Sequence, residues 1–135
     1  MSGYSGTPLA KKLGFKEGIR VRITGAPENY SDLVNPLPDG ITISSRIAKN
    51  IDIWHFFTRS EGDLRSKLPS MMLAIFPDGA IWVSWPKKSS GVPSSVTEDT
   101  IRSVALPLGL VDIKVCAVDA TWSGLKLVIR KELRS

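Results

Sequence analysis

The stretch Phe76–Gly91, FPDGAIWVSWPKKSSG, constrains the fold of this chain more than any other. A Pro-Asp-Gly turn feeds a short apolar strand, and the strand stops at Pro86, two lysines and a run of small residues. In an open α/β sheet, ligands gather in the crevice outside the carboxyl ends of the strands. Lys87 and Lys88 therefore mark one rim where a ligand would be sought.

The rest of the chain fits such a sheet. Gly18 leads into IRVRIT, where Ile19, Val21 and Ile23 point one way and Arg20 and Arg22 the other. This alternation predicts an edge strand, or one with a less buried face. GAPENY follows, then a short helix near Glu28–Val34, the breaker-rich turn NPLPDG and a second short strand, ITIS, at 41–44. Ile51–Phe57, IDIWHFF, has the apolar and aromatic density of a central strand. Ser60 and Asp63 form a predicted capping box for a helix carrying Leu64, Leu68, Met71, Met72 and Ile75. Pro69 predicts a kink there, or two shorter helices. Thr97 caps a helix with Glu98 and Asp99 in its first turn, where carboxylates suit the dipole. Gly109 ends it. Strands at 111–118 and 125–130, joined closely through DATWSG, form an antiparallel pair. Near the N-terminus, Thr7 is a predicted cap, Pro8 suits the first turn and Gly14 the end of a helix LAKKLG, while residues 1–6 read as a flexible start.

The predicted order is one helix, then β-α-β-β-α-β-α-β-β. Strands alternating with helices predict a mostly parallel sheet that ends in an antiparallel hairpin. At 135 residues the chain fits a single domain spanning 1–135. The basic excess is spread along it: ten Lys and Arg against seven acidic residues in 1–67, and eight against six in 68–135. Weak attraction to phosphates follows. Nucleic acid is not the expected partner, because that would need a clustered stripe. The single cysteine, Cys116, excludes an internal disulfide and reads as a small buried hydrophobe. With no secretory apolar region or membrane-length run, a cytoplasmic location is expected. No zinc-ligand set, nucleophile elbow or phosphate-binding P-loop occurs.

Two resemblances accompany these features. The helix, the Pro77-Asp78-Gly79 turn, the strand to Trp85, the helix from Thr97 and the hairpin around Trp122 resemble the second half of class I, Rossmann-like methyltransferases over residues 50–131. The resemblance implies a reduced Rossmann-like, methyltransferase-like α/β fold. More specifically, SGYSGTPLAKKLG, DIWHFFT, WPKK, TED and KVCAVDATWSGLKLVIRK resemble a small bacterial family of unknown function over nearly the whole chain. The sequence departs from the methyltransferase pattern at two places. Gly25-Ala26-Pro27 stands where a glycine-rich loop approaches the cofactor, and Ser44, Ser45 and Arg46 stand where an acidic residue binds ribose hydroxyls. The short interval from Gly25 to Ile51 also implies a missing βα unit. No cofactor is expected, S-adenosylmethionine included, and no metal.

The candidate ligand-binding residues are Gly25, Ala26, Pro27, Glu28 and Asn29, then His55 with Thr58, Trp85 with Lys87 and Lys88, and Trp122. His55 has two roles open to it: a proton donor or acceptor in the crevice, or a packed strand residue sharing parity with Ile51, Ile53 and Phe57. Trp54 and Trp82 are expected in the core, whereas Trp85 and Trp122 are candidates for a ligand wall or a subunit contact. Asp119, Thr121 and Ser123 read as turn chemistry. The leading expectation is a non-catalytic binding module for a small anionic molecule or nucleotide, with no membrane association. The alternatives are a divergent transferase with His55 as acid or base, and a protein-interaction module or homo-oligomer.

Overall fold

The computed structural model describes residues 7–134, so the predicted flexible segment 1–6 lies outside the described residues. The elements are α1 (Leu9–Leu13), β1 (Arg20–Thr24), α2 (Tyr30–Leu33), β2 (Thr42–Ser44), β3 (Ile51–Phe57), α3 (Glu61–Ala74), β4 (Ile75–Pro86), α4 (Glu98–Leu108), β5 (Leu110–Ala117) and β6 (Trp122–Ile129), with short 3₁₀ turns at Lys88–Ser90 and Lys131–Leu133. The six strands form one sheet in the order β2-β1-β3-β4-β6-β5. The first four are parallel, and the β6–β5 hairpin adds antiparallel to β4. The predicted mostly parallel sheet with a C-terminal hairpin is the fold observed.

Two apolar layers cover the sheet. On one face α3 and α4 bury Leu64, Leu68, Met71, Ile101 and Val104 against Phe56, Ile81, Val83, Leu125 and Leu127. On the other, α1 and α2 bring Leu13 and Tyr30 onto Val21, Ile53, Phe57 and Trp82. Trp82 is fully buried, and its indole N–H donates to the Leu13 carbonyl at 2.9 Å, satisfying a group at the end of α1. Ile51 falls in the first layer although it shares sequence parity with Ile53. The register with β4 also breaks here: Ile51 pairs with Ile75, and Ile53 with Ala80, so the Pro77-Asp78-Gly79 segment bulges out of a β4 that starts earlier than its apolar run suggests.

The connection from β2 to β3 is six residues, 45–50, although the two strands are parallel and straddle β1. Parallel crossovers ordinarily take a dozen residues or more. The short link is feasible because β2 is only three residues long and ends level with Arg22, so the chain descends only about 10 Å to reach Ile51. Arginines from β1 hold this link. Arg20 Nε donates to the Asn50 carbonyl at 3.0 Å, and Arg22 Nη1 to the Ile47 carbonyl at 2.8 Å. β1 is therefore an internal strand with one polar, thinly covered face.

Local departures from the predicted elements have simple causes. α1 starts at Leu9 with Pro8 at its cap position and no side-chain cap, so Thr7 does not serve. Ser60 Oγ accepts from the Asp63 backbone, but the Asp63 carboxylate turns to Thr58 and Lys67 instead, leaving half a capping box. Pro69 sits inside a single helix, α3. At α4 the box is complete: Thr97 Oγ1 accepts from Thr100 N–H, and Thr100 Oγ1 from Thr97 N–H, both at 3.2 Å. Thr97→Ala is expected to lower stability by about 1 kcal/mol, the typical value of such a cap. Urea denaturation checks this, and a loss no larger than that of the exposed Thr42→Ala would show that the box contributes nothing.

Candidate functional site

The chain steps outward from β1 to β2, then returns to the far side of β1 for β3 and proceeds to β4. Strand order thus reverses between β1 and β3, and the crevice outside their carboxyl ends is where an open α/β sheet takes ligands. An open pocket of about 550 Å³ lies there, bordered by Gly25 after β1, Thr58 and Arg59 after β3, Pro93 from the loop before α4, and Trp122 at the start of β6. Its size falls within the usual range for small-molecule sites.

Gly25 permits the two strand ends to approach. Its φ is +71°, and a Cβ at this position would lie 2.6 Å from the Phe57 carbonyl oxygen. The floor is rigid. The Thr58 N–H donates to the Ser84 carbonyl at 3.0 Å, and Thr58 Oγ1 donates to Asp63 at 3.1 Å while accepting from Ser60 N–H at 3.2 Å. The loop carrying Pro93 is tied to the same corner: Ser95 N–H donates to the Arg59 carbonyl at 3.0 Å, and Ser95 Oγ accepts from Glu61 N–H at 2.8 Å. The Trp122 ring stands edge-on to Phe57 with centroids 5.1 Å apart. Asp119 Oδ1 orients that turn by accepting from Thr121 and Trp122 N–H, the local chemistry expected of it. Arg59 is exposed, and its guanidinium bonds none of the described residues.

His55 lies elsewhere. It is fully buried, with Nδ1 2.8 Å from Tyr30 Oη and Nε2 2.7 Å from Ser84 Oγ. Its ring stacks on Phe57 at 4.3 Å. Burial pushes its pKa down to about 3, so the imidazole is neutral, and burial likewise raises the Tyr30 phenol. Tyr30, His55 and Ser84 form a sealed polar bridge linking α2, β3 and β4. None of the three borders the pocket between the ends of β1 and β3.

Of the other sequence candidates, Gly25, Thr58 and Trp122 meet at the pocket. Ala26 packs into the layer under α2, and Pro27, Glu28 and Asn29 form the turn that starts this helix. Trp85 is buried rather than free for a subunit contact. With Lys88 it borders a neighbouring groove of about 540 Å³ that adjoins the first at Pro93. Lys87 is placed by its backbone: its N–H donates to the Thr121 carbonyl at 2.7 Å. Arg59 and Pro93 line the pocket without any sequence pattern having marked them, and Ser60 and Asp63, which also line it, read in the sequence only as a helix cap. Arg59 carried the clearest signal of the four, since it lies two residues beyond the carboxyl end of a predicted central strand.

Among the described residues no group of histidines, cysteines and carboxylates is placed to hold a metal. No helix of the described residues is long and apolar enough to cross a membrane.

Residues 10–131 match the family described as a protein of unknown function, DUF3052. The chain belongs to this family. None of the curated proteins matches the sequence. Solved structures share the fold. A possible exported protein from Bordetella parapertussis superposes with a TM-score of 0.63 at 10% identity, covering 90% of this chain and 66% of that one. A SAM-dependent methyltransferase from Aquifex aeolicus gives 0.63 at 13% identity, covering 90% and 88%. The magnesium protoporphyrin IX methyltransferase of Synechocystis, solved with bound SAH, gives 0.60 at 9% identity, covering 90% and 78%. The DUF3052 chain therefore has a Rossmann-like, methyltransferase-like fold; at these identities the likeness shows the fold alone.

Proposed function

We propose that this DUF3052 chain is a cytoplasmic, non-catalytic binding module that takes a small anionic molecule or nucleotide in the crevice between the ends of β1 and β3. The observation that carries this is the pairing of a strand-end glycine, Gly25, with an exposed and uncommitted cation, Arg59, around one open pocket. Gly25 lets the ends of β1 and β3 close together beneath the pocket, and a guanidinium offers a planar fork to phosphate or carboxylate. The absence of catalysis is supported by the burial of His55 and its partners, which removes the most obvious proton-transfer group from the pocket.

The fold's neighbours raise S-adenosylmethionine as an occupant, but the residues present fit it poorly. At the end of β2 the chain supplies Ser44, Ser45 and Arg46, with Arg46 N–H donating to Ser44 Oγ at 3.0 Å, where a ribose would call for a carboxylate. Asp63, the carboxylate at the pocket, is engaged by Thr58 and Lys67.

Isothermal titration of the full chain with pyrophosphate, AMP and S-adenosylmethionine separates the possibilities. Saturable binding of pyrophosphate or AMP is expected, weakened about tenfold in Arg59→Ala, a loss of about 1.4 kcal/mol that is typical of one charge-assisted contact. Binding of S-adenosylmethionine alone, or affinity indifferent to Arg59, would refute the anion-binding role.

A further inference from the structure

A second cleft opens on the other side of β3, where the thinly covered face of β1 meets α3. Its volume is about 220 Å³, above the roughly 150 Å³ of a cavity that takes benzene. Phe56 and Met71 form apolar walls. Across from them the Arg22 guanidinium lies 4.5 Å over the Trp54 ring, and the Trp54 indole N–H donates to Thr24 Oγ1 at 3.0 Å. Both planes of this stack are therefore fixed.

The hydrogen bonding of Arg22 is incomplete. Nη1 donates to the Ile47 carbonyl at 2.8 Å. Nε is shielded from water and has no partner. Nη2 bonds none of the described residues, and none of their carboxylates pairs with Arg22. The Nε and Nη2 edge is the two-toothed side of a guanidinium that matches a carboxylate. A partly buried cation with that edge unmet is costly unless an anion completes it. A second cation stands at the cleft: Lys67 Nζ, 5.8 Å from the Phe56 ring centroid and 3.0 Å from Asp63.

We propose that this cleft is a binding site for a small monocarboxylate on a compact apolar body, of about the size of a benzoate. The carboxylate would meet the Nε and Nη2 edge of Arg22, and the apolar body would lie between Trp54, Phe56 and Met71. Because Nε is shielded from water, its contact closes only when a wall side chain moves as the ligand seats. Phosphate is the poorer match, since it would bring further charged oxygens against the apolar walls.

The test is a titration of the ¹⁵N-labelled full chain with sodium benzoate, following the Arg22 Nε–H and Trp54 Nε1–H signals. Both are expected to shift and saturate, with a Kd on the order of 1 mM for so small a ligand. Benzamide, which keeps the body and loses the charge, should bind at least about tenfold more weakly, as should Arg22→Lys, which keeps the charge and loses the fork. Should Arg22→Lys fail to fold, Ser70→Phe places a ring at the cleft from an exposed helix position and is expected to abolish both shifts while leaving Arg22 intact. Unmoved or non-saturating signals, benzamide or inorganic phosphate binding as tightly as benzoate, or undiminished binding by Ser70→Phe would each overturn the proposal.

Discussion

Exchange of His55 for alanine is expected to lower stability at pH 7 by about 4 kcal/mol, from the combined cost of a core cavity and stranded polar groups. The side chain is fully buried between Tyr30 and Ser84, and its removal leaves Tyr30 Oη and Ser84 Oγ without these partners in a sealed environment. Urea denaturation measures the loss. The same histidine gives the wild type an acid sensitivity that the variant lacks. Its folded pKa is pushed down to about 3 by burial, against roughly 6.5 in an unfolded chain. Between those values the unfolded state binds the extra proton, so stability is complete above pH 6.5. It then falls by up to about 1.4 kcal/mol for each unit of pH lost until the folded pKa is reached. His55 is the chain's single histidine, so the window from pH 6.5 to 5 reports it with little interference. Carboxylates such as Asp112, held low by Arg102, join the acid loss only below that. An imidazole that titrates near 6.5 in the folded protein by NMR would contradict the assignment.

Gly25→Ala is expected to cost about 3 kcal/mol, or a Tm drop of about 10 °C for a chain of this size. Two effects add. The residue sits at φ +71°, where an L side chain is strained, and its new Cβ would press to 2.6 Å from the Phe57 carbonyl oxygen. That oxygen belongs to the end of β3, so relief requires the ends of β1 and β3 to separate at the crevice. Gly91→Ala provides the control. Its φ is +77°, but nothing lies within 4 Å of the added Cβ, so backbone strain alone applies, about 1 kcal/mol. Equal losses in the two variants would show that the close approach at Gly25 has no energetic weight.

The sheet was legible in the sequence because each strand carried its own local signal. The density of IDIWHFF, the alternation of IRVRIT and the stop at Pro86 each placed a strand without help from distant residues. The helix caps at Thr97 and Ser60 were likewise local. The site was less legible because its determinants are contacts between distant positions. His55 read as ambiguous because its partners, Tyr30 and Ser84, lie 25 and 29 residues away. Trp85, beside Pro86, read as a candidate ligand wall or subunit contact, yet the register of β4 turns it into the layer under α4. Arg20 and Arg22 read as one solvent face of a strand. Their role in holding the 45–50 link depends on the path of a loop that no periodicity describes.

The strand order has a further consequence as the chain leaves the ribosome. β1 and β2 emerge before β3 and can pair with one another, but the strand that seats β1 in the sheet is β3, and β3 in turn needs β4. The N-terminal third therefore cannot complete its pairing until residues from the middle of the chain arrive. The closing hairpin, joined to β4 through β6, is synthesised later still than β4. Nascent chains halted before β4 would display unpaired strand edges, the kind of surface that holdase chaperones cover.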